Sequence, residues 1–423
     1  MSTTASRRQP RSQPTEDESG GWFAAWRRLL DRPLTSYQLV LGVSALLLAL
    51  GMVMVLSASS VLSYTAYGNS YFIFGKQAIW VVIALPCAYL ASRLPINVIR
   101  LFAYPLLGLV IVLIALTYVP GIGIEVNGNR NWLSFGGPLQ VQPSELAKLA
   151  LVIWVADLYA RKEKLLSDWK HVLIPMLPVM LLVTMMVVGQ RDLGTALVMF
   201  ALILGMLWVA NAPMRLFGGA FLALGGLVAF LAAADEGRVR RLSGFTDPFS
   251  DYSDGGWQAA HGLMGLASGQ FWGVGLGASR QKWGTLPDAH TDFIFAVIGE
   301  ELGLVGTLVV LGLFALLAYA GLRIAQRSRD PFARFAAAGI TVWLLSQTVI
   351  NIGMVLGLLP VIGIPLPLIS YGGSALLPTV VALGLLVSFA RTEPGAQAAL
   401  RANKDRRARM RRRGRDRAGR ERN

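Results

Sequence analysis

Residues 282–306 combine acidic side chains, a histidine and the start of a long apolar run. The segment reads KWGTLPDAHTDFIFAVIGEELGLVG. Its acids and its histidine are Asp288, His290, Asp292, Glu300 and Glu301. Carboxylates at a bilayer boundary are costly to keep, so such a cluster is by default a functional-site hypothesis. A carboxylate that faces water there could take a proton from a hydroxyl group, which is the task of a general base.

Composition places this segment in a membrane protein. Of 423 residues, 54% are hydrophobic and 15% are charged, and the mean hydropathy is +0.53. A helix needs roughly 20 mostly apolar residues to cross the hydrocarbon core. Ten runs come close to that length or exceed it, namely 38–58, 75–93, 100–119, 144–160, 171–189, 194–211, 214–233, 293–322, 336–356 and 375–391. The sequence therefore predicts an all-α polytopic integral membrane protein with ten transmembrane helices.

The distribution of Lys and Arg predicts the orientation. Cationic residues concentrate in alternate short connections and in both tails, and the positive-inside rule places these segments in the cytoplasm. The predicted regions are a cytoplasmic tail (1–37), a ten-helix membrane domain (38–391) and a basic cytoplasmic tail (392–423). The large extracytoplasmic loop, about 234–292, then joins helices 7 and 8. The acidic segment at its end is expected to face outward.

Several kinds of site are not indicated by the sequence. The single cysteine, Cys87, lies in a predicted span, which argues against a disulfide framework or a thiolate metal centre. No metal-ligand spacing and no Walker A loop occurs. The run 401–423 holds 12 basic and 3 acidic residues. Next to a last transmembrane helix, such a run is expected to be a solvated tail or to contact anionic lipid or a cytoplasmic partner, rather than nucleic acid.

Four further polar segments interrupt the apolar pattern. They are NGNRNWL (127–133), PSELAK (143–148), QRDLGTA (190–196) and GLLPVIGIPLPLISYGGSAL (357–376). Glu145 and Lys148 lie three residues apart on a predicted helix, where they can pair. The prolines and glycines of the last segment preclude a continuous helix and predict an ordered re-entrant or surface loop.

These motifs together resemble the SEDS family, the FtsW/RodA/SpoVE membrane proteins of bacterial wall assembly. The resemblance rests on PSELAK, QRDLGTA, HTDFIFAVIGEELG and GIPLPLISYGGSAL and runs from about Ser36 to Arg391. The segments GEELG and ARTEPGAQAALRA favour the division branch of the family over its elongation branch. The chain departs from the family pattern at Asn131, Arg191 and His261-Gly262.

The resemblance implies a peptidoglycan glycosyltransferase that polymerises lipid II on the outer face of the bacterial cell membrane, at the division septum. It implies a cognate class B penicillin-binding protein, a transpeptidase, as a partner beside other division proteins and membrane lipids. Lipid II carries its sugar on a diphosphate through an α-bond, whereas the polymer bond is β-1,4, so one inversion is needed. One base and a stabilised leaving group suffice, without the nucleophilic carboxylate of a retaining glycosidase.

Asp292 is the expected general base under this resemblance, because it matches the aspartate on which the family relies. From the residues alone, an N-cap at the start of the eighth span is the alternative. Asp288, four residues earlier, is the second candidate and is also typical of a turn. Glu300 and Glu301 lie roughly 12 Å farther along a helix, where they are expected to pair with cations or hold neighbouring helices.

The substrate-binding candidates are Lys282, Arg241, Arg130, Glu145, Lys148, Asp192 and Ser370. Lys282 and Arg241 lie in the same predicted outer loop as Asp292 and suit a diphosphate. Glu145, Lys148 and Asp192 are expected to line a cavity for the lipid headgroup, with structural ion pairs between helices as the equal alternative. No metal-binding residues are predicted, although the diphosphate and Asp292 could share a Mg²⁺ or Mn²⁺ ion.

Two other functions remain open from the sequence. A lipid II flippase would use the same intramembrane charges as a headgroup pathway, without chemistry, and an elongation-type polymerase would share the chemistry but not the cellular site. A scaffold for division proteins could coexist with either and would use the tails. An outward acid at a junction between loop and helix favours polymerisation over transport.

Overall fold

The computed structural model describes residues 34–126, 128–134, 140–233, 248–249, 256–399 and 402. Most of both predicted tails, much of the predicted outer loop and the candidate Arg241 lie outside these residues. The helices are α1 (Thr35–Tyr67), α2 (Phe72–Ala91), α3 (Ile96–Leu101), α4 (Ala103–Leu116), α5 (Pro143–Arg161), α6 (Trp169–Leu173), α7 (Met176–Gly189), α8 (Leu193–Val209), α9 (Met214–Ala233), α10 (Trp257–Ser268), α11 (Ile294–Arg327), α12 (Pro331–Val355) and α13 (Gly373–Thr392). Short 3₁₀ turns lie between α5 and α6 (Glu163–Leu165) and between α10 and α11 (Gln281–Trp283).

Each of the ten predicted spans coincides with helix in the described residues, and the fifth is divided between α6 and α7 around Pro175. Six helical stretches are long and apolar enough to cross a membrane: Thr35–Tyr67, Phe72–Ala91, Trp169–Gly189, Ile294–Arg327, Pro331–Val355 and Gly373–Thr392. The prediction of a mostly helical, multi-pass membrane protein is confirmed. Ten crossings and their orientation stay predictions.

Three helices form the centre of the bundle. The apolar windows of α12 and α13 are 78% and 89% buried, against 22% to 33% for the other membrane-length helices. Helix α5 is buried from Pro143 to Tyr159 at every position but Leu146. A helix that is covered on all sides belongs to the interior of a bundle. Polar side chains on α5 and α12 are therefore held among protein atoms rather than among lipids.

Helix α11 is broken at Gly303, whose φ of 68° and ψ of −165° are not helical. A Cβ atom at this position would stand 2.4 Å from the backbone nitrogen of Gly273, so only glycine fits. The loop 270–275 supplies partners for the backbone groups that the break frees. These bonds are Val274 N to Glu300 O (2.9 Å), Gly275 N to Glu301 O (3.1 Å), Leu304 N to Gln270 O (2.8 Å) and Val305 N to Phe271 O (3.2 Å).

A small antiparallel sheet lies between α4 and α5, in a region where the sequence analysis predicted no strands. Its strands are β1 (Gly123–Val126), β2 (Asn129–Ser134) and β3 (Gln140–Val141), in the order β1-β2-β3. Side chains alternate between the two faces of a strand, and in β2 Asn131 and Leu133 are the buried positions. The sheet thus turns Asn131 inward and places Arg130 on the opposite face.

Candidate active site

Asp292 lies in the loop directly before α11. The helix begins at Ile294, and its N-cap residue Phe293 makes no side-chain capping bond. Within the described part of the chain, the Asp292 carboxylate accepts no hydrogen bond, whereas its backbone carbonyl accepts one from Asn351. The geometry therefore gives Asp292 no N-cap bond and leaves both of its carboxylate oxygens available.

The surroundings of Asp292 change its acidity. Its side chain keeps some accessible surface, although protein atoms enclose it closely. Burial, together with the negative charges of Asp288 and Asp192, raises the pKa of Asp292 to about 7. A general base works best when its pKa lies near the operating pH. Asp288 differs, because it is exposed and sits in a turn with a left-handed φ of 54°.

The backbone around Asp292 is held at three consecutive carbonyl groups. The donors come from α12 and from the segment before α13, which is distant in sequence. The bonds are Tyr371 N to His290 O (2.9 Å), Ser370 Oγ to Thr291 O (2.6 Å) and Asn351 Nδ2 to Asp292 O (2.8 Å). We call this set the carbonyl clamp. It fixes the path of the chain at Asp292 without using the carboxylate.

The Gly- and Pro-rich segment forms an ordered loop between α12 and α13, as predicted. Gly363 has a φ of 69°, and a Cβ atom there would stand 3.3 Å from Asp292 Oδ2, so the loop backbone borders the carboxylate. The Ser370 hydroxyl donates to Thr291 and accepts from Leu366 N (2.7 Å). The structure thus places the candidate Ser370 within the carbonyl clamp, where its hydroxyl is occupied by protein groups.

Asp192, in QRDLGTA, joins the segment NGNRNWL to Gln142, the residue directly before PSELAK. As the N-cap of α8, its Oδ1 accepts from Thr195 N at 2.9 Å. Its Oδ2 accepts from Asn131 Nδ2 (3.0 Å) and Gln142 Nε2 (2.8 Å). Asp192 forms no ion pair with its neighbour Arg191, since Arg191 is exposed and the described donors to Asp192 are neutral amide and backbone groups. Asp192 is buried and close enough to Asp292 to influence its pKa.

Glu145 and Lys148 form the ion pair that their spacing predicted. Lys148 Nζ lies 2.8 Å from Glu145 Oε1, and the two side chains are 1% and 3% exposed. Lys148 also donates to Gln347 Oε1 at 3.0 Å, and Gln347 Nε2 donates to the Pro365 carbonyl at 2.9 Å. This arrangement favours the structural alternative, because both side chains are enclosed and Lys148 connects α5, through Gln347, to the loop beside Asp292.

Lys282 is an interior ion-pair partner. Its Nζ lies 3.3 Å from Glu301 Oε1, with side-chain exposures of 4% and 0%, and donates to the Gly277 carbonyl at 2.6 Å. Glu301 also accepts from Ser57 Oγ on α1 at 2.6 Å. The expectation that Glu301 pairs with a cation and holds a neighbouring helix fits this geometry. Lys282, expected to bind a diphosphate, is occupied in this conformation.

Glu300 is likewise bonded from several sides. Its carboxylate accepts from the Ser279 hydroxyl, from Arg280 N (2.9 Å) and from Gln281 N (3.4 Å). The two glutamates therefore attach the loop 277–283 to α11 just before its break at Gly303. Their role in the structure is to fix this loop.

Among the candidate cations that the structure describes, Arg130 is the one that remains accessible. It is half-buried on β2, and its backbone nitrogen donates to the Gln190 carbonyl at 3.1 Å. In the part of the chain that the structure describes, its guanidinium has no carboxylate partner. Those residues also contain no group of three or more His, Cys, Asp or Glu side chains that could hold a metal ion.

Sequence reasoning missed Asn351 and Gln347. Both lie in the predicted span 336–356, and both are buried. They are four residues apart and so share one face of α12. Polar side chains inside an apolar span are a signal of function in membrane proteins, and that signal was available from the sequence. Their partners are the carbonyls of Asp292, Ile364 and Pro365, and these could not be identified from the sequence.

Fold and site define a polytopic membrane protein with an available carboxylate in a loop at the end of its helix bundle. The model of the FtsW/RodA/SpoVE family, described as cell cycle proteins, matches residues 37–394. The chain belongs to this family. The matched region contains all four motifs on which the resemblance rested.

Individual relatives agree with this membership. The chain is 45% identical over 383 residues to the probable peptidoglycan glycosyltransferase FtsW of Mycobacterium tuberculosis, covering 90% of this chain and 72% of the relative. It is 35% identical over 355 residues to stage V sporulation protein E of Bacillus subtilis, covering 84% and 96%.

Two solved structures are similar to this fold. One is a chain from a peptidoglycan synthase complex that coordinates polymerization and crosslinking, with a TM-score of 0.67, 29% identity and coverage of 84% of this chain and 97% of that chain. The other is the rod shape determining protein RodA of Thermus thermophilus, with a TM-score of 0.59, 30% identity and coverage of 84% and 96%.

Proposed function

We propose that this chain is a peptidoglycan glycosyltransferase that polymerises lipid II at the division septum, with Asp292 as the general base. The observation that carries the proposal is the carboxylate of Asp292, which accepts no hydrogen bond from the residues that the structure describes. Its backbone is held by the carbonyl clamp, and burial brings its pKa to about 7. Relatives named as probable peptidoglycan glycosyltransferases support the reaction class.

The reaction requires one displacement at a sugar carbon. The acceptor 4-hydroxyl attacks C1 of the donor sugar, the new C–O bond forms with inversion, and the bond from C1 to the diphosphate breaks. The electron pair of that bond leaves with the diphosphate, and Asp292 takes the hydroxyl proton. General-base assistance of this kind is worth about 10² to 10⁴ in rate. The free oxygens of Asp292 suit this role, because no protein donor competes for them in the described residues.

The departing diphosphate needs positive charge. Arg130 is our first candidate, since it is partly accessible and its guanidinium has no carboxylate partner among the described residues. Arg241 is the second candidate, from its place in the sequence. If a Mg²⁺ or Mn²⁺ ion bound beside the diphosphate, Asp292 would be its candidate protein ligand, and the ion would supply positive charge to the leaving group. Lys282 could contribute only if its pair with Glu301 opened.

The cellular setting is part of the proposal. We place the carbonyl clamp and Asp292 on the extracytoplasmic side, on the basis of the cationic residues in the opposite connections. We infer a class B penicillin-binding protein as partner, supported by the similarity to a chain from a complex that couples polymerization to crosslinking. Division rather than elongation is supported by the FtsW relatives.

The test separates polymerisation from transport. The full chain, alone and with its co-expressed transpeptidase, is incubated with lipid II in detergent, where no membrane separates two compartments. Glycan polymer that disappears in the Asp292→Asn variant supports the proposal. Movement of lipid II across sealed vesicles, without polymer under either condition, would establish the flippase instead. Rescue of an elongation mutant but not of a division mutant would assign the elongation role.

A further inference from the structure

A carboxylate that must accept a proton in a fixed direction needs a rigid support. Side chains in catalytic positions are usually held by hydrogen bonds from a surrounding layer of residues. Asp292 has no such bond to its carboxylate within the described ranges. Its position must therefore come from its backbone and from the loop that borders it.

Asn351 contacts both of these supports. Its Nδ2 donates to the Asp292 carbonyl at 2.8 Å and to the Ile364 carbonyl at 2.6 Å. Both hydrogens of the amide group are thereby used, one on each segment. Ile364 follows Gly363, whose backbone borders Asp292 Oδ2. One side chain thus sets the backbone of the acid and the backbone that faces its carboxylate.

The support for Asn351 itself is rigid. Its side chain is fully buried on α12, a helix of 25 residues in the centre of the bundle. One turn earlier, Gln347 donates to the next loop carbonyl, that of Pro365. The Gln347 amide is oriented in turn, because its Oε1 accepts from both Lys148 Nζ and Trp343 Nε1 at 3.0 Å. Two amides on one helix face therefore hold two consecutive loop carbonyls.

We propose that Asn351 is the positioning residue of the reactive aspartate, fixing Asp292 through its main chain so that both carboxylate oxygens stay free for the acceptor hydroxyl. This inference rests on the proposed function. The other members of the carbonyl clamp, Ser370 and Tyr371, hold neighbouring carbonyls, but only Asn351 joins Asp292 to the loop segment at Gly363. A displacement of about 1 Å in a reacting group can cost about 100-fold in rate.

The test compares two buried polar residues of α12. Asn351→Ala removes both bonds of the clamp residue. Thr348→Ala is the matched control, because Thr348 is buried on the same helix and, among the described residues, its hydroxyl bonds only the Leu344 carbonyl of its own helix. Polymerisation of lipid II is measured for the full chain with its transpeptidase, over a range of pH and lipid II concentration. Melting temperature in detergent reports folding.

The expected result for Asn351→Ala is a kcat lower by about 10- to 100-fold, with KM for lipid II nearly unchanged. The acidic limb of the pH–rate profile should move to lower pH, because a looser Asp292 is better solvated and its pKa falls towards the ordinary value. Thr348→Ala should keep the parent kcat and profile. Asn351→Ser retains one donor, so its kcat should lie between those of the parent and of Asn351→Ala.

A folded Asn351→Ala protein with the parent kcat and the parent pH profile would overturn the inference. If that variant is not recovered, Asn351→Ser is judged by the same two measurements. Asp292→Asn is measured in parallel to separate the two hypotheses. Loss of activity in Asp292→Asn beside a parent-like Asn351 variant rejects the positioning role alone, whereas parent-like activity in Asp292→Asn rejects the proposed base itself.

Discussion

Asp292 and the pair Glu300-Glu301 belong to one segment of the sequence but have opposite surroundings. Both glutamates are buried and accept bonds from a hydroxyl group, from backbone nitrogens and, at Glu301, from the Lys282 ammonium group. The Asp292 carboxylate accepts none from the residues that the structure describes. Acids close in sequence can thus be divided by their partners: one set holds the structure together, and the other is left free to react.

Removing the charge of Asp292 should have the largest effect on activity. Asp292→Asn keeps the size of the side chain and leaves the carbonyl clamp intact, so folding should be unchanged. The amide cannot take the acceptor proton, and polymerisation should fall by about 10² to 10⁴-fold. Asp288→Asn is the control, since Asp288 is exposed. The loss of polymerisation activity in this variant should be far smaller. Near-parent polymerisation by Asp292→Asn would show that the base lies elsewhere.

Breaking the Lys282–Glu301 pair should act on stability instead. Lys282→Met leaves Glu301 without its cation in the interior, and losing one partner of a buried pair costs about 3 to 5 kcal/mol in free energy of unfolding. Melting in detergent should detect this loss of stability, whereas the control Lys164→Met, at an exposed position, should melt like the parent. Activity per folded molecule should change little in Lys282→Met. A large loss of activity at unchanged stability would instead make Lys282 a substrate ligand.

The pH dependence of polymerisation should report Asp292. Burial raises the pKa of this group to about 7, so below that value it is increasingly protonated and cannot act as a base. The rate should fall by up to tenfold for each pH unit on the acidic side. The titratable groups around it are Asp288, His290 and Asp192. Asp288→Asn removes a negative charge that favours the protonated form of Asp292. The acidic limb of the pH–rate profile should therefore move to lower pH.

A smaller effect is expected for the Glu145–Lys148 pair. Glu145→Gln and Lys148→Met should each lower stability or activity, since each leaves a buried partner uncompensated. The double variant should lose less free energy of unfolding than the two single variants lose together, with a coupling energy of about 0.5 to 3 kcal/mol. A double-variant cycle of melting measurements checks this. Strict additivity would mean that the two charges, 2.8 Å apart, do not stabilise each other.

The predicted topology can be checked by comparing the accessibility of two tags. A tag near Asp254 should be accessible from outside intact cells, and a tag after Arg401 should not. The two tags must lie on opposite sides of the membrane if Asp292 faces lipid II that has reached the outer leaflet. Equal accessibility of both tags would reject the orientation and the placement of the active site.

Short-range sequence features predicted part of this protein well. Span lengths and apolar composition located the helices, because the length needed to cross a bilayer is fixed by the helical rise. The three-residue spacing of Glu145 and Lys148 predicted their pair, since neighbours on one helix face meet wherever the helix lies. Prolines and glycines predicted the loop before α13, because the backbone limits of these residues are local.

Only the tertiary structure decided which acids are free and which are bonded. Asn351 and Asp292 are 59 residues apart, Ser370 and Thr291 are 79 apart, and Ser57 reaches Glu301 across 244 residues. Contacts of such separation depend on how the helices pack, which no local period encodes. The raised pKa of Asp292 has the same origin, because burial and the charge of Asp192 come from other elements. The sequence alone determined that an acid stands before α11, and packing determined that it is available to react.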